Sequence, residues 1–160
     1  MSNQSQQSAQ PATSQPASTK APARQVVQPQ QAVQPQASGP IVLLIEDDPL
    51  LIKMYKTKFE AEGFRVLTAG DGEIGLKMAL EQKIDFIILD VMMPKISGLD
   101  VLAKLKQNPK GQAIPVIVLS NLAEQEKAQK ALQLGAKEFL VKANLTPSQV
   151  VAKVRQYLGK

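Results

Sequence analysis

Two short apolar runs in this chain each end in carboxylates. Ile41-Val42-Leu43-Leu44-Ile45 leads into Glu46-Asp47-Asp48, and Ile84-Asp85-Phe86-Ile87-Ile88-Leu89 leads into Asp90, which is followed by Val91-Met92-Met93-Pro94. Runs of this kind are the pattern of parallel strands buried on both faces. Carboxylates at their carboxyl ends then meet at one edge of the sheet, where open α/β sheets place their ligands. Several acids gathered there need a cation. A hard ion such as Mg²⁺ takes oxygen ligands, keeps several waters and is held by one or two carboxylates plus a phosphate, so it suits this set. The arrangement around Asp90 reads as a phosphorylation site.

From Ile41 onward, short apolar runs alternate with helix-like stretches, which predicts a parallel sheet with helices on both faces. The predicted strands are residues 41–46, 64–68, 84–90, 115–120 and 137–141. Asp48-Pro49 reads as an N-cap followed by proline at the first helical position, with Leu51, Tyr55 and Phe59 repeating every four residues behind it. Thr146-Pro147-Ser148-Gln149 has the spacing of a capping box, with Val150, Val154 and Leu158 on one face. Ser97 with Asp100, and Asn121 with Glu124, are read as the starts of two more helices, and Asp71 as the cap of the remaining one. Five strands alternating with five helices over about 120 residues fit a doubly wound, flavodoxin-like fold with strand order 2-1-3-4-5. Right-handed crossovers then put the ends of the first and third strands side by side, so Glu46, Asp47 and Asp90 converge.

Residues 1–40 are built almost wholly from Gln, Ser, Ala, Pro, Thr and Val, with only Lys20 and Arg24 charged. Such a segment buries too little apolar surface to offset its ordering entropy, so it is read as a disordered tail ahead of a folded domain at 41–160. The folded part carries 17 cations against 14 acids, a net charge of only +3. Its lysines are scattered through amphipathic stretches without aromatic interleaving, which favours a solvated surface over a nucleic-acid face. The absence of Cys excludes disulfides and thiolate chemistry, and the absence of His removes the commonest general base and zinc ligand. No run approaches the roughly 20 apolar residues that cross a bilayer, so a soluble cytoplasmic protein is expected.

Four pieces of sequence carry a family resemblance: the acidic pair Glu46-Asp47; Leu89-Asp90-Val91-Met92-Met93-Pro94 with Ser97-Gly98 beyond it; the hydroxyl residue Ser120; and Phe139-Leu140-Val141-Lys142. In this order and at these strand ends, residues 41–159 resemble the CheY-like receiver domain of two-component response regulators. The resemblance implies that Asp90 is the nucleophile that takes a phosphoryl group from a histidine kinase or phosphotransfer protein. It implies Mg²⁺ held by Asp47 and Asp90, by Glu46 directly or through water, and by the Met92 backbone carbonyl. Lys142 would bring an ammonium group to the phosphoryl oxygens. Ser120 would donate its hydroxyl to the modified aspartate while Phe139 changes rotamer, the switch of this family. Asp48, preceding Pro49, is better read as an N-cap than as a ligand.

Three departures from the commonest family pattern stand out. Ala143 follows Lys142 where a cis-proline is usual, and a cis bond before alanine costs about 3 kcal/mol, so a trans bond or a locally strained loop is expected. Asn121 replaces a small residue after the switch hydroxyl and would partly cover the pocket. Met92 and Leu122 stand where polar side chains place the hydrolytic water in fast-hydrolysing relatives, which predicts a long-lived phosphorylated state.

The chain ends after the fifth predicted helix, which is read as a stand-alone receiver signalling to a downstream effector protein, without direct DNA binding or membrane insertion. It is not expected to be an enzyme beyond its own phosphoryl transfer and autodephosphorylation. The effector face implied by the resemblance includes Lys127, Lys130 and Gln133. The alternative is a receiver-fold interaction module that does not use phosphorylation. A dehalogenase-type phosphatase would want a second acid where Met92 stands.

Overall fold

A computed structural model describes residues 38–159 of the chain; apart from its last three residues, the predicted disordered tail lies outside the described part. The strands are β1 (Ile41–Ile45), β2 (Arg65–Ala69), β3 (Phe86–Asp90), β4 (Val116–Ser120) and β5 (Glu138–Val141). All pair in parallel in the order β2-β1-β3-β4-β5, the order expected from the sequence. The helices are α1 (Pro49–Ala61), α2 (Gly72–Glu81), α3 (Gly98–Gln107), a single turn α4 (Pro109–Gln112), α5 (Gln125–Gln133) and α6 (Pro147–Leu158). Among the described residues no helix is long and apolar enough to cross a membrane.

Alternate residues of the central strands feed two separate cores, as the two-residue strand period requires. Val42, Leu44, Phe86 and Ile88 pack with Tyr55 and Phe59 of α1 and Val150, Val151 and Val154 of α6. Leu43, Ile45, Ile87 and Leu89 pack on the other face with Ala79 of α2, Val101, Leu102 and Leu105 of α3, and Ala131 of α5. Both faces of β3 are therefore dry, and every residue of that strand is buried.

Local capping explains most helix starts. The Asp48 carboxylate accepts from the Leu50 and Leu51 amides at 2.8 and 3.4 Å, and Asp71 accepts from Ile74 at 2.8 Å. Ser97 accepts from the Asp100 amide at 3.2 Å, and Thr146 and Gln149 form the reciprocal capping box. The expected cap at Asn121 is not formed. Helix α5 begins only at Gln125, after Glu124; the Ser120 hydroxyl oxygen accepts from the Leu122 amide, and residues 121–122 form a bend instead. The extra turn α4 carries the Asx-Pro start signal already seen at Asp48-Pro49: Asn108 precedes Pro109 and accepts from the Lys110 amide at 3.0 Å.

Candidate functional site

Strand register assembles the site. Ile45 pairs with Leu89 across β1 and β3, so the next residues, Glu46 and Asp90, stand side by side at the carboxyl edge. Asp90 pairs with Leu119 across β3 and β4, which sets Ser120 one step beyond it, and Ser120 pairs with Val141, just before Lys142. One carboxylate oxygen from each of Glu46, Asp47 and Asp90 lies within 4.8 Å of the others. Glu46 and Asp90 are 1% and 2% exposed, whereas Asp47 faces solvent. The Lys142 ammonium reaches between the two buried acids, 2.6 Å from Glu46 Oε2 and 3.4 Å from Asp90 Oδ1. Glu46 also accepts from the Asp48 amide at 3.2 Å, and Asp90 Oδ1 accepts from the Met92 amide at 3.2 Å.

The electrostatics follow from burial. Desolvation pushes the Asp90 carboxyl up from its ordinary value against the pull of Lys142 and the Met92 amide, with Asp47 adding repulsion. Desolvation raises Glu46 as well, opposed by the Lys142 bond and reinforced by the charge on Asp90. The Tyr55 hydroxyl is pushed up by its own burial and then by the charges of Glu46 and Asp90. One lysine thus faces two buried carboxylates and a third nearby, and the pocket is short of positive charge. Three hard oxygen donors around one point suit a divalent cation of the Mg²⁺ type. Among the described residues no protein donor is bonded to the Met92 carbonyl, which leaves it available as a further oxygen ligand.

Residues 42–155 match the family described as the response regulator receiver domain. The chain belongs to that family. The transcriptional regulatory protein CpxR of Escherichia coli (strain K12) is 38% identical over 119 residues, which is 74% of this chain and 49% of CpxR. The chain spans about half the length of the curated relatives it matches. Among solved structures, a Francisella response regulator receiver domain superposes with a TM-score of 0.69 at 30% identity, covering 76% of this chain and 100% of that one. The CheX–CheY–BeF3–Mg complex of Borrelia burgdorferi superposes with a TM-score of 0.69 at 30% identity, covering 76% and 90%.

The remaining receiver-domain positions divide into those in the pocket and those around it. Ser120 is buried at the end of β4, its oxygen accepting from the Leu122 amide at 3.2 Å. Phe139 is partly buried and packs against the core beneath α2, α3 and α5. No peptide bond is cis among the described residues, so Lys142-Ala143 is trans and its chain continues as a short 3₁₀ turn, Lys142–Asn144. That outcome agrees with the cost of a cis bond before a residue other than proline. Met92 and Leu122 stand 53% and 60% exposed on the loops after β3 and β4. Asp48 is the α1 cap, as expected, and stays outside the acid cluster.

Three contacts of the site were not read from the sequence, although Gly98 and Lys127 were named there for other reasons. At Gly98, a Cβ would lie 2.0 Å from the Asp90 carbonyl oxygen and 2.8 Å from Val91 Cα, so only glycine lets α3 start against the acceptor residue. The Gly98 amide donates back to the Val91 carbonyl at 2.9 Å. Lys95, in the loop after Asp90, has a left-handed backbone with φ of 70°, and its ammonium pairs with Asp71 at 2.9 Å. Lys127 of α5 reaches the same loop, its Nζ 3.9 Å from Met92 Sδ. Of these, Gly98 alone had a signal in the sequence, its place directly after the Ser97 cap.

Proposed function

We propose that this receiver domain accepts a phosphoryl group on Asp90 from a histidine kinase or phosphotransfer protein and passes the signal to an effector protein. The observation that carries the reading is the pairing of a nearly fully buried Asp90 with Lys142 at 3.4 Å inside a cluster of three acids. A merely structural aspartate would not be surrounded by like charges at the cost of desolvation.

In this reading an Asp90 carboxylate oxygen attacks phosphorus. The new P–O bond forms as the P–N bond of the phosphohistidine breaks, and the imidazole leaves with that electron pair and takes up a proton from solvent. Mg²⁺, when bound, supplies charge neutralisation at the phosphoryl oxygens. Glu46, Asp47, the second oxygen of Asp90 and the Met92 carbonyl would hold it. Mg²⁺ accompanies CheY in the Borrelia complex, and this chain presents three carboxylate donors that suit such an ion. Lys142 supplies a fixed positive charge to the oxygens that become more negative in transfer, and its burial keeps that charge undiluted by water. Its competition with Glu46, only 2.6 Å away, sets how far it can turn toward the new group.

Ser120 then supplies the readout. Its oxygen already accepts from Leu122, which leaves its hydroxyl hydrogen to donate to a phosphoryl oxygen and draws residues 121–123 toward Asp90. The space vacated is next to Phe139, whose inward rotation completes the change. The match covers only about half of each of these curated relatives, so their transcriptional role is not transferred. A protein partner, with no direct contact to DNA, is the output we assign.

The test is intact-mass spectrometry after incubation with Mg²⁺ and acetyl phosphate, on the wild type and on Asp90→Asn. A phosphoryl-sized gain confined to the wild type is expected. No gain, with a control receiver labelled in parallel, would favour an interaction module that works without phosphorylation.

A further inference from the structure

We propose that Lys127 is a second cation for the phosphoryl group on Asp90, held in reserve by Glu124 until that group arrives. The inference rests on the phosphorylation reading above. It starts from the charge balance of the pocket. Before transfer, Glu46, Asp47 and Asp90 would be matched by Lys142 and a divalent cation held by the same acids. Transfer replaces the single charge of the Asp90 carboxylate with a phosphoryl group carrying about two, so about one negative charge is left over. Lys142 cannot supply more, because its side chain is 9% exposed and its ammonium is already placed against two carboxylates.

Lys127 is placed to make up the difference. It sits in the first turn of α5, where the helix dipole disfavours a positive side chain. Its ammonium nevertheless points back over the loop after β3, 3.9 Å from the sulfur of Met92, whose amide is bonded to Asp90 Oδ1. A thioether is a weak acceptor, so that side of the ammonium is poorly satisfied. Among the described residues its one strong partner is Glu124 at 2.7 Å. Glu124 is the N-cap residue of α5, yet its side chain makes no capping bond, being taken up by Lys127. Both side chains are about one-third exposed, so the pair is cheap to open.

Two arrangements of the same groups follow. In the unmodified protein Lys127 pairs with Glu124. In the phosphorylated protein the flexible stem of Lys127 swings past Met92 to a phosphoryl oxygen, and the Glu124 carboxylate is released to the free amides at the start of α5. Helix α5 buries only Ala131 fully, so its first turn can adjust at little cost. Phosphorylation of Asp90 is thereby reported to α5 by an exchange of ion pairs as well as by Ser120.

The experiment titrates beryllofluoride, a phosphoryl mimic, into the Mg²⁺-loaded full chain by isothermal calorimetry. Lys127→Gln, Lys127→Arg, Glu124→Gln and Lys130→Gln are compared with the wild type, with melting temperatures confirming that each is folded. Lys127→Gln is expected to weaken binding about fivefold, Lys127→Arg to retain it, and Glu124→Gln to tighten it about twofold. Lys130→Gln makes the same change in net charge one turn further on and should stay within about twofold of wild type. Equal affinities for Lys127→Gln and Lys130→Gln would overturn the proposal. If the wild type neither binds beryllofluoride nor takes a phosphoryl group from acetyl phosphate, the phosphorylation reading itself fails and this inference falls with it.

Discussion

Replacing Asp90 with asparagine should make the protein more stable while removing its proposed chemistry. The magnitude follows from the charges around the carboxylate. At an effective dielectric of about 20, the Lys142 ammonium 3.4 Å away attracts Asp90 by about 5 kcal/mol. Glu46, within 4.8 Å, repels it by at least about 3.5 kcal/mol, and the exposed Asp47 adds about 1 kcal/mol in a more water-like medium. These contributions nearly cancel. What remains is the cost of keeping an ion that is 2% exposed out of water, several kcal/mol even after relaxation. Asparagine avoids that cost and keeps an oxygen for the Met92 amide, so a net gain of about 2 kcal/mol is expected, or about 8 °C in melting temperature for a domain of this size.

Calorimetric melting of Asp90→Asn and wild type at neutral pH in a chelator measures this directly. Added Mg²⁺ should raise the wild type by about 2.7 kcal/mol at a hundredfold excess over its dissociation constant, and the variant by much less. Lys142→Met tests the same charges from the other side. It leaves two buried carboxylates without their cation and should cost about 3 to 5 kcal/mol. A lower melting temperature for Asp90→Asn in chelator, or an equal Mg²⁺ response in both proteins, would refute the reasoning.

Three further perturbations have defined outcomes. Met92→Asn places a polar group beside Asp90 and should shorten the acyl phosphate lifetime severalfold, followed by intact mass through time, whereas an unchanged decay would remove Met92 from control of hydrolysis. Gly98→Ala drives a methyl group into the Asp90 carbonyl and should cost about 3 kcal/mol in urea unfolding; a change below about 0.5 kcal/mol would show that the α3 start is not tightly set. The carboxyl of Glu138 is pushed up by burial, but the bonds from Lys153 and Tyr157, each 2.7 Å, outweigh this and hold it below its ordinary value. A depressed carboxyl stabilises above its unfolded-state value and loses that contribution as pH falls through the folded one. The wild type should therefore exceed Glu138→Gln by about 1 kcal/mol at neutral pH, and a gap that persists at about pH 3 would contradict the assignment.

What could be read from the sequence was either local or repeated. Caps such as Asp48, Asp71, Ser97 and Thr146 act within three residues of themselves, and the unbroken apolar runs could only be buried strands, so the helix starts and the sheet were legible together. The acid cluster was legible because it needs only strand order and strand ends. Asn121 misled because a cap signal states that a helix may start and not that it must; the Ser120 oxygen captured the Leu122 amide first. Asn108-Pro109 carries the same Asx-Pro signal as Asp48-Pro49 but follows directly on α3, so the pattern alone does not separate one further turn from a continuation of that helix. The contacts of Lys127 with Met92 and of Lys95 with Asp71 join residues 35 and 24 positions apart. They depend on where loops come to rest, and neither residue belongs to a periodic or motif pattern that would single it out among the many lysines.

The placement of Lys142 ties the chemistry of Asp90 to the outer edge of the sheet. Its partner Glu46 follows β1, so this one ion pair spans the ends of β3 and β4 and holds the upper end of β5 against the centre. The lower end of β5 is held independently, by the bonds from Lys153 and Tyr157 of α6 to Glu138. Between them lie only Phe139, Leu140 and Val141, all partly buried. A change in the charge on Asp90 alters the pull on Lys142 and leaves the Glu138 anchor untouched. The strand is therefore free to respond at one end only, and Phe139, next to the fixed end, is where a rotation about the strand costs the least backbone movement. If Asp90 is phosphorylated as proposed, an edge strand with two separate ionic anchors would carry the change in the buried pocket to the surface without loosening the core, in which β3 and β4 are closed on both faces.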